Sequence, residues 1–219
     1  MSVKLGYWNI RGLASQIRYL MVYLGVDFSE DKYEQGPAPE FSRAAWDTVK
    51  DKLELERPSL PYLIDGNVRI TDSIPIMKYI CSAHNGIELL GRDPVEMGQV
   101  EMLAAAVFDL KGAISLQCYT TGDKLMCANI IRDKIEPLVG YLADKPFLIG
   151  DQVTYVDFMF YELLDFCGFL TEGKLFQQYG FLKDFMLRMS SLPRFSEFWK
   201  DSTRCIKRPF NNKIAKINN

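Results

Sequence analysis

The sequence has no Cys-x-x-Cys pair, one histidine (His84), no run of basic residues and no long apolar segment. A dithiol redox enzyme needs paired cysteines, and a zinc site needs several cysteine or histidine ligands. Without a basic run, neither nucleic acid nor an acidic membrane surface is an expected partner. No segment is long enough to cross a bilayer. We therefore expect no metal, no nucleic acid and no membrane partner.

The composition is that of an ordinary globular protein of one large domain or two small ones. The 219 residues are 48% apolar and 25% charged, with a formal net charge of −2. The N-terminus passes straight into a strand pattern without the apolar core of a signal peptide. The five cysteines are odd in number and widely spaced, which predicts free thiols in a reducing cytoplasm; they are Cys81, Cys118, Cys127, Cys167 and Cys205.

The first 85 residues alternate between strand and helix patterns. A strand at Val3–Trp8, a helical run at 13–24 and a strand at 26–33 predict a parallel pair with a right-handed crossover. The segments Tyr62–Asp65 and Val68–Thr71, separated by Gly-Asn, predict a β-hairpin. A short helix at 41–49 and a longer one from Ser73 to an Asn-Gly cap complete this part.

Every periodic segment after residue 86 reads as helix. Val100, Leu103, Val107, Leu110 and Ile114 form the buried stripe of a long helix that starts at Arg92-Asp93-Pro94. Helices are also expected at 127–142, 179–189 and 194–199, with a capping box at Thr154–Asp157 opening another. The polar tail after residue 208 is expected to be irregular. The pattern predicts a small α/β domain of mixed sheet followed by an all-α domain.

Tyr7 is the most informative residue, because it stands where the first strand meets a glycine-containing turn and a helix follows. Catalytic groups often occupy such turns, which a rigid scaffold presents. A phenol donates a hydrogen bond without redox chemistry, so Tyr7 points to the stabilisation of an anion on another molecule.

Two short motifs near the hairpin have both a functional and an ordinary interpretation. A cis Leu60–Pro61 bond would turn the Leu60 backbone outward to pair with an extended peptide, whereas a trans loop proline would not. Asp72-Ser73 at a helix start suits the ammonium and carboxylate of an amino acid, or serves only as an N-cap.

A third motif lies on the short helix, where Arg43, Trp46 and Lys50 are spaced three and four residues apart. Two cations and an indole on one face suit the carboxylate of a peptide-like ligand. The alternative is a solvated face with one half-buried tryptophan.

Four segments, in order along the whole chain, resemble the soluble glutathione transferases of the mu class. They are residues 5–14, the loop 33–46 with its Ala38-Pro39, the segment 60–66 and the segment 153–158. The resemblance implies the glutathione transferase fold. Residues 1–85 would form a thioredoxin-like α/β domain with a mixed four-stranded sheet, and residues 86–219 an all-helical domain that contributes the electrophile pocket.

The resemblance also implies an activity: conjugation of the thiolate of reduced glutathione to hydrophobic electrophiles, in a detoxifying homodimer. Glutathione would be a co-substrate, with no permanently bound cofactor. Tyr7 would hold the sulfur as thiolate. The implied glutathione site comprises Tyr7, Trp8, Arg43, Trp46, Lys50, Ser59, Leu60, Pro61, Asp72 and Ser73, with Asp109 reaching the site of the partner subunit. The implied electrophile pocket includes Leu13, Tyr119 and Phe210.

Four positions depart from the mu pattern. Asp72 replaces a glutamine, Ser59 replaces an asparagine, and Arg57 replaces an aromatic residue that plugs a pocket on the partner subunit. In the tail, Phe210 is shifted by one position. These departures motivate an alternative, a catalytically weak glutathione carrier or structural dimer. A thiol-disulfide reductase is disfavoured, since the turn at Tyr7 has no cysteine.

Overall fold

A computed structural model describes residues 2–200, 206 and 208–218. The four cysteines within these ranges are buried free thiols, while Cys205 lies outside them. No helix in these ranges is both long and apolar enough to cross a membrane. The elements are β1 (Val3–Trp8), α1 (Ser15–Leu24), β2 (Phe28–Tyr33), α2 (Ala44–Asp47), β3 (Tyr62–Asp65), β4 (Val68–Thr71), α3 (Ser73–Ala83), α4 (Pro94–Thr120), α5 (Lys124–Leu142), α6 (Tyr155–Leu170), α7 (Lys174–Gln178), α8 (Phe181–Ser190) and α9 (Phe195–Phe198).

The predicted mixed sheet is confirmed, with the strand order β2-β1-β3-β4. β1 pairs with β2 in parallel and with β3 in antiparallel orientation, and β3 and β4 form the predicted hairpin. The crossover helix α1 ends at Gly25, whose φ of 70° is the left-handed conformation of a glycine cap. β2 begins two residues later than the sequence pattern indicated.

The two faces of the sheet bury different clusters. Leu5 and Leu63 belong to the main core with α1 and α3. Trp46, Leu55 and Tyr62 form a smaller cluster of their own. Packing on both faces fixes the carboxyl end of β1, where Tyr7 lies.

The helical half is organised around α6, which is buried along nearly its whole length. Its predicted capping box is present: the Asp157 carboxylate accepts hydrogen bonds from the backbone N–H groups of Thr154 at 2.8 Å and Leu148 at 2.9 Å. The predicted apolar stripe of α4 is buried throughout and faces α5 and α6. α6 therefore provides a rigid wall facing the turn after β1.

Three parts of the chain differ from the sequence predictions. The helix expected at 41–49 is reduced to α2 and a 3₁₀ turn at Lys50–Lys52. The short α7 was not predicted, because five residues hold too little periodicity. The polar tail ends in a 3₁₀ turn at Lys216–Asn218 and packs back onto the sheet domain.

Candidate active site

The Tyr7 side chain lies at the centre of the candidate site, with only 7% of its surface exposed. Its hydroxyl accepts a hydrogen bond from the backbone N–H of Leu13 at 3.1 Å. The phenolic proton of Tyr7 therefore points away from the Leu13 N–H and can be donated to another group. Burial raises the pKa of Tyr7, opposed by the Leu13 N–H and by the charge of Arg18. At neutral pH Tyr7 is therefore an uncharged hydrogen-bond donor.

Gly12 makes the turn beneath Tyr7 possible. Its φ of 45° lies in the left-handed region, and a Cβ added there would stand 2.6 Å from the Tyr7 hydroxyl oxygen. Both the backbone conformation and the close approach of the ring require glycine.

A polar cavity of about 380 Å³ opens on one side of Tyr7. It brings together seven predicted residues from four separate segments: Tyr7, Trp8, Arg43, Trp46, Ser59, Leu60 and Tyr119. The peptide bond between Leu60 and Pro61 is cis. No backbone hydrogen bond to Leu60 occurs among the loop and turn bonds of the described ranges. The polar cavity therefore offers an unpaired backbone edge beside a guanidinium.

The three residues of the Arg43 motif do not act as one helical face. The Arg43 guanidinium lies 5.9 Å from the centre of the Trp8 ring, at the cavity. Trp46 is 2% exposed and packs against Tyr62, so only its edge reaches the cavity. Lys50 lies beyond α2, pairs with Asp47 at 3.2 Å, and does not line the cavity.

Asp72 and Ser73 lie at the start of α3, outside the lining of the polar cavity. Asp72 has a φ of 70°, a strained conformation for a residue with a side chain, and its carboxylate does not cap the helix. It instead forms an exposed ion pair with Arg57. Two positions at which the sequence departs from the mu pattern are thus joined in one contact.

An apolar cavity of about 260 Å³ opens on the other side of Tyr7. The predicted residues Leu13, Tyr119 and Phe210 line it with Phe108 and Phe166. Phe210 stacks on Phe166 with ring centres 4.9 Å apart and meets Tyr119 edge-on. Despite its shifted position in the sequence, Phe210 therefore belongs to this pocket.

Tyr7 and Tyr119 line both cavities, so the two spaces meet between these phenols. The Tyr119 hydroxyl accepts a hydrogen bond from the side-chain amide of Asn212 at 2.9 Å. Burial, with a smaller contribution from Tyr7, raises the pKa of Tyr119 to about 12. A reactant in one cavity and a second reactant in the other would meet at two neutral hydroxyl groups.

Sequence reasoning missed several residues that line the cavities. Lys111 was recoverable, because it falls on the buried stripe of α4 between Val107 and Ile114, where a charge is unusual. Asn212 and Ile214 in the tail line the polar cavity but carry no periodic pattern. Asp109 lies exposed on α4, away from both cavities of its own chain.

Comparison with known proteins identifies the class to which this fold and site belong. Residues 3–82 match the family described as "Glutathione S-transferase, N-terminal domain", and residues 114–202 match "Glutathione S-transferase, C-terminal domain". A solved structure titled as the glutathione S-transferase Blo t 8 is 28% identical, with a TM-score of 0.79 over 99% of this chain and 100% of that one. A pi-class glutathione S-transferase of Onchocerca volvulus shows the same fold, with a TM-score of 0.82 over 99% of this chain and 100% of that one. Its sequence is 24% identical.

Curated relatives of similar length indicate which class of glutathione S-transferase the chain resembles. Glutathione S-transferase Mu 1 of Bos taurus is 37% identical over 218 residues, which cover 98% of each chain. Glutathione S-transferase Mu 1 of Rattus norvegicus is 35% identical over the whole of both chains. The chain therefore belongs to the glutathione S-transferase family, within its mu class. It is a transferase that conjugates glutathione, which serves as its co-substrate.

Proposed function

We propose that this transferase joins the sulfur of glutathione, held in the polar cavity, to a hydrophobic electrophile held in the apolar cavity, and that the new bond forms beside Tyr7. The observation that carries the proposal is the meeting of the two cavities at Tyr7 and Tyr119. The thiolate of glutathione is the nucleophile, and Tyr7 is the catalytic residue that stabilises it.

The hydroxyl of Tyr7 is suited to this role because its oxygen already accepts from Leu13 and its proton is free to donate. A free thiol has a pKa near 8.5 and is mostly protonated at neutral pH. Lowering that pKa by about two units takes roughly 2.7 kcal/mol of preferential thiolate stabilisation. One hydrogen bond to a charged acceptor contributes about 1.5–3 kcal/mol. A single well-placed phenol therefore supplies most of the shift.

Glutathione would lie extended across the polar cavity. The unpaired Leu60 backbone, held by the cis bond to Pro61, would pair with its cysteinyl unit. Arg43 and the indoles of Trp8 and Trp46 would hold one end of the tripeptide. The guanidinium suits a carboxylate, while the Trp8 ring and the edge of Trp46 suit contact with the peptide chain that carries it.

The other end of glutathione would extend from Ser59 towards the start of α3. The buried Ser73 and the free N–H groups of that helix suit the α-carboxylate, and Asp72 suits the α-ammonium. Lys50 would bind a carboxylate of glutathione only by exchanging its present partner, Asp47, for the ligand.

The apolar cavity would take the electrophile. Its walls are mostly aromatic and aliphatic, so it selects by shape and hydrophobic contact. Tyr119 lines both cavities, the Leu13 N–H binds Tyr7, and Phe210 meets the Tyr119 ring. They would hold the reacting carbon within about 3–3.5 Å of the sulfur, the distance that a near-attack geometry requires.

We further propose that the protein is a homodimer, in which Asp109 reaches the glutathione site of the partner subunit. Asp109 lies on a face of α4 that also exposes Met102 and Leu116, which stand seven residues to either side of it. Exposed apolar side chains beside a free carboxylate suit an interface with a polar rim. A dimeric mass in light scattering at micromolar concentration is expected, and a monomeric mass would contradict this assembly.

We also propose that the protein is cytosolic and that its two domains meet near residue 85. Four buried free thiols fit a reducing compartment. The last element of the sheet half, α3, ends at Ala83, and the helical half begins with α4 at Pro94.

The proposed function is tested by adsorption to glutathione-agarose followed by a conjugation assay on the eluted protein. We expect retention, elution by free glutathione, and turnover of an aryl halide. Retention without turnover would favour a carrier over an enzyme. Turnover that persists undiminished in Tyr7→Phe would remove Tyr7 from the catalytic role.

A further inference from the structure

Lys111 is a buried cation on the wall of the apolar cavity. Its side chain is 7% exposed and lies on α4. The ammonium donates a hydrogen bond to the backbone carbonyl of Gly12 at 3.0 Å, with the Gln16 side-chain oxygen at 3.5 Å. A mostly apolar pocket rarely contains charged groups, because removing a charge from water is costly. The conjugation reaction at Tyr7 does not by itself require Lys111.

The position of Lys111 relative to Tyr7 follows from one peptide group. Lys111 Nζ binds the oxygen of the Gly12–Leu13 peptide, and Tyr7 Oη binds its nitrogen. Standard backbone dimensions then place Nζ and Oη within about 8.5 Å of each other. A donor for the sulfur and a second donor therefore stand on opposite sides of the same turn, both facing the apolar cavity.

A buried ionic cluster lies near the cation without bonding to it. Glu162, which also lines the cavity, accepts hydrogen bonds from Arg11 and from Tyr19, the latter at 2.8 Å. Arg11 also donates to Asp165 at 2.7 Å. Burial lowers the pKa of Lys111; Glu162 opposes the effect and Arg11 adds to it. A lowered pKa makes the ammonium a better proton donor than an exposed lysine.

We propose that Lys111 is a specificity-determining residue of the apolar cavity, which binds the carbonyl oxygen of α,β-unsaturated ketones and aldehydes and so favours them over electrophiles that lack a carbonyl. The inference rests on the proposed function, since it requires the sulfur to lie at Tyr7. In such compounds the carbon that the sulfur attacks and the carbonyl oxygen are separated by three bonds. That separation fits between a sulfur bound to Tyr7 and an oxygen bound to Lys111.

The chemical step balances without any other reactant. The glutathione thiol has already lost its proton to solvent. The sulfur lone pair forms the new bond to the β-carbon, and the π electrons of the carbon–carbon double bond move towards the carbonyl oxygen. Lys111 donates a hydrogen bond, and then a proton, to the enolate oxygen. The enol returns to the ketone in solvent, and water restores the proton of the lysine.

A substitution of the lysine tests this assignment. Lys111→Met shortens the side chain by one atom, keeps it unbranched and removes the donor. The kcat/KM values for 4-phenylbut-3-en-2-one and for benzyl chloride are measured, because negative charge develops on oxygen in the first reaction and on a leaving chloride in the second. We expect the ratio of the two values to fall by about 10- to 100-fold, the size of one hydrogen bond to a charged group.

Lys134→Met is the matched control. It makes the same chemical change on an exposed position of α5 that lines neither cavity, and the ratio should not change. A ratio in Lys111→Met within twofold of the wild-type value would overturn the proposal. Failure of the wild-type protein to use either electrophile would instead contradict the proposed function.

A second measurement needs no variant, so it tests the role of Lys111 even if Lys111→Met does not fold. The wild-type protein is titrated with S-(3-oxobutyl)glutathione and S-butylglutathione, which differ by the ketone oxygen that Lys111 would bind. We expect the ketone to bind about tenfold more tightly. Equal or weaker binding of the ketone would overturn the proposal.

Discussion

The polar and apolar cavities share Tyr7 and Tyr119 but are built in different ways. The polar cavity is made mainly by strand ends and the loops beside them, such as Trp8 at the end of β1 and Leu60 before β3. The apolar cavity is made mainly by α4, α6 and the tail. The difference indicates a division of labour, in which fixed loops recognise one constant substrate and helix faces select among variable ones.

The Tyr7→Phe substitution should give the largest change, because it removes the hydroxyl that would stabilise the thiolate where the two cavities meet. We expect kcat/KM with an aryl halide at neutral pH to fall by about 10- to 100-fold, as one hydrogen bond to the thiolate is lost. Retention on glutathione-agarose should be preserved, because the remaining contacts of glutathione are untouched. Weakened retention with normal turnover at saturation would mean that Tyr7 only binds.

The Gly12→Ala substitution should act on Tyr7 indirectly. A methyl group 2.6 Å from the Tyr7 hydroxyl oxygen must displace the ring, and the left-handed backbone adds strain. We expect about a tenfold loss of turnover and a loss of about 1–2 kcal/mol in the free energy of unfolding. Urea denaturation and steady-state kinetics measure the two effects.

Gly98→Ala provides the control, since a methyl group at that position of α4 meets no atom within 4 Å. Alanine in a helix interior should increase stability by about 0.5–1 kcal/mol without changing turnover. Equal losses in both variants would show that the turn beneath Tyr7 has no special role.

A pair of substitutions should separate the cavities. Phe210→Ala removes a ring that stacks on Phe166, so the KM for a hydrophobic electrophile should rise by up to about tenfold while the KM for glutathione stays constant. Arg43→Met should produce the reverse pattern. Steady-state kinetics with each substrate varied in turn measures both values. If either variant changed both KM values to the same extent, the assignment of one substrate to each cavity would be contradicted.

The Arg57→Gln substitution should have the smallest effect. It removes an exposed ion pair with Asp72, worth about 0–1 kcal/mol. The freed carboxylate would face the ammonium of glutathione, so the KM for glutathione should fall by about two- to threefold. Lys52→Gln, a nearby change of the same charge, should leave the KM unchanged. A severalfold rise in Arg57→Gln would indicate that Arg57 itself contacts glutathione.

The sequence predicted the sheet domain better than it predicted the cavities. β1, β3 and β4 have the predicted bounds, because alternating side chains and a Gly-Asn turn specify them locally. The polar cavity could be anticipated in part for the same reason, since its loops follow those strands directly. The Arg57–Asp72 contact could not, because it joins two side chains across a loop.

The apolar cavity depends on long-range packing and was predicted less completely. Phe210 contacts Phe166 only because the tail folds back, and the tail has no periodic pattern to indicate this path. Lys111 had a detectable signal, a charge within an apolar stripe, but the sequence alone does not distinguish a cavity wall from a buried ion pair.

The central claim, that the Tyr7 hydroxyl stabilises the glutathione thiolate, is tested most directly by titrating the bound thiol. The ultraviolet absorption of the thiolate is followed against pH in complexes of glutathione with the wild-type protein and with Tyr7→Phe. We predict a pKa in the wild-type complex about two units below that of a free thiol, and a value near 8.5 in Tyr7→Phe. The same lowered pKa in both complexes would contradict the account.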